Sequence, residues 1–393
     1  MKGLKALLTK DILLVLATAF LYNASTQLIT PTFPLYVAQL GGEERIVGVL
    51  AGLYAFTAVF MRPLLGKVMN RRGRKFVLYV SMLASITGPL LYTLNWGFLF
   101  LALARIFHAT SLAGFITASQ TLLAEFSPEG KRGSVISLYS VANGIALASA
   151  PAVGFALVER TGFQPLFLLA SAVALLAMPC ISAIREPQGA RRDSLAVATP
   201  TLQLLRNGWV VVPSAVLFAI TMIQGATQAF LPLHGVSVGM KNVGIFFSVY
   251  SAASMVTAAL IGFVSDKVGR KTLAVPALLL IVAGTLCLTL LPSFPMLIVA
   301  AVCMGGGFPA TYNSLLALIL DRASLADRPQ AVGIYANAYD LGVSTGSMAL
   351  GVIARLSFNL LWIFAASSAG LGVLLTLFAL PGETVKRRRE LAG

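Results

Sequence analysis

The decapeptide GKVMNRRGRK at residues 66–75 occurs again, as GFVSDKVGRK, at residues 262–271. Both copies fit the pattern G-x-x-x-[N/D]-x-x-G-R-K, and each lies between two apolar runs. A repeat at a fixed spacing indicates that one structural unit has been used twice. The two halves of the chain are therefore expected to share one plan.

The repeat extends well beyond this loop. The same shift along the chain, without a gap, superimposes the pairs Val47 and Val243, Tyr54 and Tyr250, Glu125 and Asp321, Arg132 and Arg328, and Tyr139 and Tyr335. Matches over this length indicate that each half is one copy of a parallel repeat.

The composition is that of a membrane protein. Of the 393 residues, 58% are hydrophobic and only 11% are charged, and the mean hydropathy is +0.86. Soluble domains carry about 25% charged residues. At about 20 apolar residues per transmembrane helix, the chain has room for about twelve spans. A water-soluble protein is excluded.

Apolar runs separated by polar breakers predict twelve spans, numbered here along the chain. Spans 1 to 6 cover residues 12–39, 46–69, 76–94, 98–124, 134–158 and 163–184, and spans 7 to 12 cover 209–233, 242–265, 272–291, 295–320, 331–354 and 358–380. This predicts an all-α integral membrane protein with an N-terminal six-helix half at 1–184 and a cytoplasmic linker at 185–208. A C-terminal six-helix half at 209–380 and a basic cytoplasmic tail at 381–393 follow.

Basic residues predict the orientation, because Lys and Arg are retained on the cytoplasmic side. With the N-terminus inside, 23 of the 29 Lys and Arg residues fall in the tails and the even-numbered loops. Four fall on the other side: Arg45, Arg160, Lys241 and Arg355. We expect a multi-pass protein of the cell membrane, either a bacterial inner membrane or a plasma membrane, with both termini cytoplasmic. The formal charge of +15 then requires no nucleic-acid partner.

The repeated loop resembles the motif between helices 2 and 3 of the major facilitator superfamily, and the resemblance covers essentially the whole chain. It implies a secondary transporter with two six-helix halves related by pseudo-twofold symmetry and a substrate site at their interface. The first glycine is expected to allow close helix packing, the second a turn with positive φ, and the basic pair to hold the cytoplasmic interface. The resemblance assigns a conformational latch to Gly66, Asn70, Gly73, Arg74, Lys75, Gly262, Asp266, Gly269, Arg270 and Lys271. Asn70 stands where the family usually has aspartate.

Two further motifs resemble those of the drug:proton antiporter group, the twelve-helix exporters. The run LALARIFHA at residues 101–109 is similar to the helix-4 motif of proton-coupled members, in which Arg105 is the charged residue. Span 5 resembles the helix-5 antiporter motif, although alanine or serine replaces several glycines and Phe155 replaces the last one.

Three ionisable side chains lie clearly inside spans: Arg62, Arg105 and Asp340. Each costs at least about 2.5 kcal/mol to insert, so each is a functional hypothesis. Because burial disfavours the ionised form of a carboxyl group, Asp340 is predicted to take up and release the transported proton. An acid at the membrane rim, such as Asp11 or Glu125, is the other candidate carrier. A static charge pair between Arg62 and Asp340 at the interface of the halves is the alternative. Arg105 keeps its charge and is predicted to assist proton coupling and to bind an anionic group of the substrate, with anchoring of its helix as the alternative.

Uncharged polar side chains supply the remaining predicted substrate contacts. Span 1 carries Asn23 and Gln27, and the symmetry-related span 7 carries Gln224 and Gln228. The spacing of four residues places each pair on one helix face. Asn313 and Asn337 complete the predicted set of substrate-binding residues. His108 is expected to be a packing residue that makes a hydrogen bond. Pro31, Pro34, Pro232 and the cluster Gly305–Gly307 are expected to interrupt helical hydrogen bonding where gating helices bend.

These features predict a proton-coupled secondary transporter that exports a small amphipathic compound by alternating access. The compound is expected to be neutral, zwitterionic or anionic, because the expected cavity has no acid to compensate a cation. The partners are the substrate, protons and the lipid bilayer, and we expect a monomer without a cofactor or a metal. Uptake of a metabolite by proton symport is the alternative within transport. A non-transporting sensor and a lipid-modifying membrane enzyme are the alternatives outside it.

Overall fold

The computed structural model describes residues 9–128, 132–186, 201–240, 242–324 and 327–380, apart from the side chains of 132–134, 137, 201–202, 262–268 and 329. The chain folds as two compact units, Met1–Ser194 and Leu195–Gly393. The middle of the predicted linker, at 187–200, and the predicted tail, at 381–393, lie outside the described residues.

The first unit is built from α-helices joined by short turns. Their bounds are Lys10–Ile29, Phe33–Gln39, Glu44–Arg72, Arg74–Tyr92, Phe98–Phe126, Arg132–Thr161, Phe163–Leu175 and Ala177–Ala183. Spans 1 and 6 each consist of two consecutive helices, and each of the other four spans is a single helix.

The second unit has the same construction. Its helices are Thr201–Leu204, Gly208–Ser237, Ile245–Val268, Arg270–Cys287, Phe294–Arg322, Arg328–Ala354 and Phe358–Leu374, with a 3-10 turn at Leu288–Leu290 and a π-helical turn at Leu375–Ala379. Spans 7 to 12 correspond to the six long helices and these two turns.

Ten helical segments in the described residues are long and apolar enough to cross a membrane. The two other predicted spans are numbers 8 and 11. Span 8 shows a shorter apolar helix over Ile245–Ile261 in the described part of the chain. Span 11 is a helix of 27 residues, Arg328–Ala354, whose apolar character is reduced by Gln330, Asn337 and Asp340.

Span 1 is interrupted, as its prolines predict. The first helix ends at Ile29 and the second begins at Phe33, with Pro34 in its first turn. Pro31 has no N–H group to donate to a helical hydrogen bond. The hydroxyl of Thr32 donates to the carbonyls of Leu28 and Ile29, at 2.8 and 3.1 Å, and so satisfies backbone acceptors at the break.

Helix pairing is the same in both units. In the first unit, span 1 packs extensively on span 5, and spans 2 and 3 both pack on span 4. In the second unit, span 7 packs on span 11, and spans 8 and 9 both pack on span 10. The repeat seen in the sequence is therefore a repeat of helix packing.

The repeated loop forms the same turn in each unit. Gly73 and Gly269 both have positive φ, at 94° and 93°, which L residues with a side chain rarely adopt. The arginine after each glycine then forms an ion pair with the acid near the end of span 4 or span 10. Arg74 lies 2.7 Å from Glu125, and Arg270 lies 3.1 Å from Asp321.

The lysine of each loop caps the last helix of its unit. Lys75 Nζ donates to the carbonyls of Ser182 and Ile184, at 2.6 and 2.9 Å. In the second unit, Lys271 Nζ donates to the carbonyls of Leu377 and Leu380, at 3.0 and 3.1 Å. A cation at a helix C-terminus satisfies carbonyls that have no helical partner. The basic pair of each loop therefore connects helices within its own unit. The expected role of these residues at the cytoplasmic interface did not include this contact.

The close helix packing expected at Gly66 does not involve other helices of the first unit, because a Cβ atom added there would meet no described atom within 4 Å. Its packing in the latch stays a prediction. Close backbone contacts are seen between spans 7 and 11. A Cβ atom at Gly342 or Gly346 of span 11 would clash with the backbone of Phe218 or Met222 in span 7, and one at Gly225 of span 7 would clash with the backbone of span 11.

The contact between spans 7 and 11 predicts opposite effects for two glycine substitutions in one helix. Gly346→Ala places a methyl group against the backbone of Met222 and is expected to destabilise the protein by about 1–3 kcal/mol. Gly333→Ala, where a Cβ atom would meet no described atom within 4 Å, is expected to stabilise it by up to about 1 kcal/mol, because alanine favours helix. Thermal unfolding of both purified variants in lipid nanodiscs measures the difference. Equal midpoints would contradict this account of the contact.

Candidate functional site

Arg105 is buried in the first unit, with 3% of its surface exposed. Its Nε donates to the carbonyl of Leu50 at 3.1 Å, and its Nη2 donates to the carbonyl of Ala51 at 3.3 Å. The guanidinium carbon lies 4.2 Å from the ring centroid of Phe33 and 4.7 Å from that of Tyr54. Backbone dipoles and aromatic faces therefore compensate the charge, and no carboxylate of the described chain lies within 4 Å.

His108 lies one helical turn after Arg105. Its Nδ1 forms a hydrogen bond of 2.8 Å with the hydroxyl of Tyr92, as expected for a packing histidine. The imidazole fits against Gly88, where a Cβ atom would lie 2.5 Å from the ring. The buried Nε2 has no hydrogen-bond partner in the described residues.

A chain of hydroxyl groups runs beside the arginine. The Tyr54 hydroxyl lies 3.5 Å from that of Tyr22 and 3.2 Å from that of Ser111. Tyr22 stacks on Phe115, with ring centroids 4.0 Å apart. Spans 1, 2 and 4 of the first unit therefore meet in one buried polar and aromatic cluster around Arg105.

The amides of spans 1 and 5 form a pair. Asn23 Nδ2 donates to Asn143 Oδ1 at 2.8 Å and also to the carbonyl of Ala19 at 2.8 Å. Both hydrogens of this amide are then used, so Asn23 offers only its oxygen to a ligand. Both asparagines are half-buried. Gln27, one turn after Asn23, is also half-buried.

The second unit places Gln224 beside span 11. The Tyr339 hydroxyl donates to Gln224 Oε1 at 3.0 Å. The Tyr339 ring lies near Phe308 and Tyr312 of span 10, with centroid distances of 6.1 and 6.4 Å. Spans 7, 10 and 11 therefore contribute to one group of an amide and aromatic rings.

Asp340 follows Tyr339 and is 3% exposed. It lies well inside the helix Arg328–Ala354, as predicted. Arg62 is half-buried in the helix Glu44–Arg72 of the first unit. The pairing of Arg62 with Asp340 would join the two units and stays a prediction.

The other predicted substrate contacts differ in exposure. Gln228 and Asn337 are half-buried, and Asn313 is exposed. Pro232 lies within the unbroken helix Gly208–Ser237, where an interruption was expected. Gly305 and Gly307 likewise lie within the unbroken helix Phe294–Arg322. A Cβ atom there would clash with the carbonyls of Tyr250 and Ala277, so close packing explains these two glycines where a hinge was expected.

The latch residues are only partly described. Asn70 is exposed, and Gly73, Arg74, Lys75, Gly269, Arg270 and Lys271 form the turns described above. Gly262 and Asp266 belong to the helix Ile245–Val268, but their side-chain positions lie outside the described set. The latch stays a prediction.

Sequence reasoning missed the aromatic residues that surround the polar side chains. Phe33, Tyr54 and Tyr92 border Arg105 and His108, and Tyr339 orients Gln224. A signal existed for Tyr54, because the repeat aligns it with Tyr250. A second missed signal is the G-x-x-x-G spacing of Gly342 and Gly346, which is typical of closely packed membrane helices.

Comparison with known proteins identifies the family. The model of the Major Facilitator Superfamily matches residues 15–243 and 235–393, which is most of the chain. The chain belongs to the major facilitator superfamily. Its fold is the all-α membrane fold of that family, and the protein is a transporter of small molecules, not an enzyme.

Relatives and solved structures agree with this assignment. A staphylopine export protein of Staphylococcus aureus is 23% identical over 354 residues, which cover 87% of this chain and 89% of that protein. Multidrug resistance protein MdtG of Escherichia coli is 25% identical over 393 residues, covering 94% and 93%. The crystal structure of the nucleoside transporter NupG has a TM-score of 0.76 at 14% identity and covers 95% of this chain and 100% of that chain, which shows the shared fold.

In this major facilitator protein, the contacts of Arg105 predict that lysine cannot replace it. Lysine lacks the planar fork that reaches two carbonyls and lies between two rings. Arg105→Lys is therefore expected to reduce the free energy of unfolding by about 1–3 kcal/mol. The control is Arg160→Lys, at an exposed position in the last turn of span 5. Thermal unfolding midpoints that fall equally in both variants would contradict this role of the contacts.

Proposed function

We propose that the protein is a proton-coupled exporter of a small amphipathic compound that is neutral, zwitterionic or anionic, and that it works by alternating access. The observation that carries the proposal is the position of Asp340. It is a carboxyl group that is almost fully buried in the middle of a span, next to a tyrosine that binds a polar amide.

The position of Asp340 suits proton coupling for a physical reason. Burial disfavours an ionised carboxylate, whereas contact with water or a positive charge favours it. A residue that alternates between these environments can load a proton on one side of the membrane and release it on the other. One charge moved through 100 mV supplies about 2.3 kcal/mol, which sustains roughly a fiftyfold gradient. One titrating group is sufficient.

The charges of the spans support the proposed substrate class. Apart from Asp340, the acids in the described spans lie near helix ends, as Asp11, Glu125, Glu159 and Asp321 do. Glu125 and Asp321 are also held by arginines of their own units. A buried cation without an opposite charge is strongly disfavoured. Arg105, whose contacts are neutral carbonyls and rings, remains available to attract an anionic or polar group.

The named relatives support export. One is named as a staphylopine export protein and another as a multidrug resistance protein. Both match this chain over more than four-fifths of its length, so the comparison extends to both units. We propose the same direction of transport for this protein.

The first prediction from this proposal concerns proton coupling. Asp340→Asn preserves the shape of the side chain but cannot exchange a proton, so it should abolish pH-driven transport while substrate exchange and binding remain. Proton flux and substrate flux in proteoliposomes measure both properties. Glu159→Gln is the matched control, because this acid is exposed near the end of span 5. Undiminished pH-driven transport by Asp340→Asn would refute the assignment.

The second prediction concerns the charge of the substrate. Matched cationic, neutral and anionic ligands should bind with the cation weakest, and Arg105→Ala should weaken the anion most, because it removes the fixed positive charge. Calorimetry on the purified wild type and the variant measures this order. A preference for lipophilic monovalent cations that Arg105→Ala leaves unchanged would contradict the charge argument. Proton-driven accumulation of an anionic ligand inside right-side-out vesicles would indicate uptake by symport instead of export.

A further inference from the structure

Four half-buried side chains of the second unit form a group of three rings and one amide: Phe308, Tyr312, Tyr339 and Gln224. The rings of Phe308 and Tyr312 are nearly parallel, at 24°, with centroids 6.1 Å apart. The Tyr339 ring is close to perpendicular to both, at 77° and 89°. We call this set the aromatic–amide group.

The hydrogen bond from Tyr339 determines what the amide presents. The phenol donates to Gln224 Oε1 at 3.0 Å, which turns the amide oxygen toward Tyr339. The other end is the Nε2 group, which has two N–H donors and no acceptor. While this hydrogen bond holds, Gln224 offers donors to a ligand.

The rings determine the shape that fits beside this amide. Aromatic rings prefer stacked or edge-to-face partners at centroid distances of about 4.5–7 Å, and the three rings already keep this spacing among themselves. A flat ring extends such a set with favourable contacts on its faces and edges, whereas a saturated ring of the same size lacks the quadrupole that these contacts use.

We propose that the aromatic–amide group is a subsite for a planar aromatic ring that bears a hydrogen-bond acceptor, such as a carbonyl or a carboxylate. Tyr339 is its specificity-determining residue, because its hydroxyl fixes the amide with the donors turned toward the ligand. The inference rests on the proposed function in one respect, namely that the protein binds a small amphipathic compound. It requires neither a direction of transport nor a coupled proton.

Aromatic rings also attract cations, so the polarity of the amide must be tested directly. Four probes share one size: 2-naphthoate and 2-acetylnaphthalene carry acceptors, 2-naphthylmethylammonium carries only donors, and decahydronaphthalene-2-carboxylate is the saturated counterpart of the first. Binding is measured by calorimetry on the full-length protein in lipid nanodiscs, with empty nanodiscs as the blank.

The wild type should bind the two aromatic acceptors in preference to both other probes. Tyr339→Phe keeps the ring but releases the amide, which can then turn its oxygen toward the ligand. The preference for 2-acetylnaphthalene over 2-naphthylmethylammonium should fall by roughly threefold to tenfold, the range expected from the net free energy of one hydrogen bond. Gln224→Leu should weaken both acceptor probes by a similar factor.

Tyr335→Phe is the matched control. It removes a hydroxyl from the same helix one turn earlier, where Tyr335 donates to the carbonyl of Tyr312 at 2.8 Å, and should leave the preference unchanged. An unchanged preference in Tyr339→Phe, a preference for the ammonium probe, or equal binding of the saturated carboxylate would each overturn the subsite. The proposed export and proton coupling would survive these results, because they are measured as flux and not as binding selectivity.

Discussion

In each unit, one tight turn connects helices that are far apart in the sequence. The glycine with positive φ reverses the chain. The arginine that follows it pairs with an acid of span 4 or span 10, and the lysine caps the end of span 6 or span 12. Each of these groups would be costly to leave unsatisfied in or near the hydrocarbon region. The turn therefore fixes the position of three helix ends at once, and the packing of the long helices follows from it.

The same requirement explains the interior of the first unit. Arg105 is an ionised group among apolar residues, yet its contacts are two helix carbonyls and two ring faces. These neutral partners lower the free-energy cost of burying the guanidinium. A carboxylate would neutralise its charge, but these partners do not. An arginine held in this way keeps its positive charge, which we propose attracts a polar or anionic group of the substrate. Three spans contribute to holding it in place.

The second unit uses close backbone contact between spans 7 and 11. Glycines on spans 7 and 11 bring the two helices together directly beside Gln224, Tyr339 and Asp340. Small residues allow this approach, and it lets a tyrosine of one helix reach an amide of the other. The polar groups that we assign to transport therefore lie on a packed support, so a ligand meets them in a fixed orientation.

The sequence alone determined the class of protein, the number and order of the spans, and the repeat of the two halves. These properties depend on hydropathy and spacing, which are local and additive. It also predicted the buried Asp340 and Arg105, because a charge inside an apolar run is visible without a structure. The tertiary structure decided which groups these residues meet: carbonyls and rings for Arg105, an amide partner for Asn23, and a tyrosine for Gln224. Such contacts join residues more than fifty positions apart and depend on the depth and rotation of each helix, which only packing determines. For the same reason, the sequence could not show that Gly342 and Gly346 lie against the backbone of another helix.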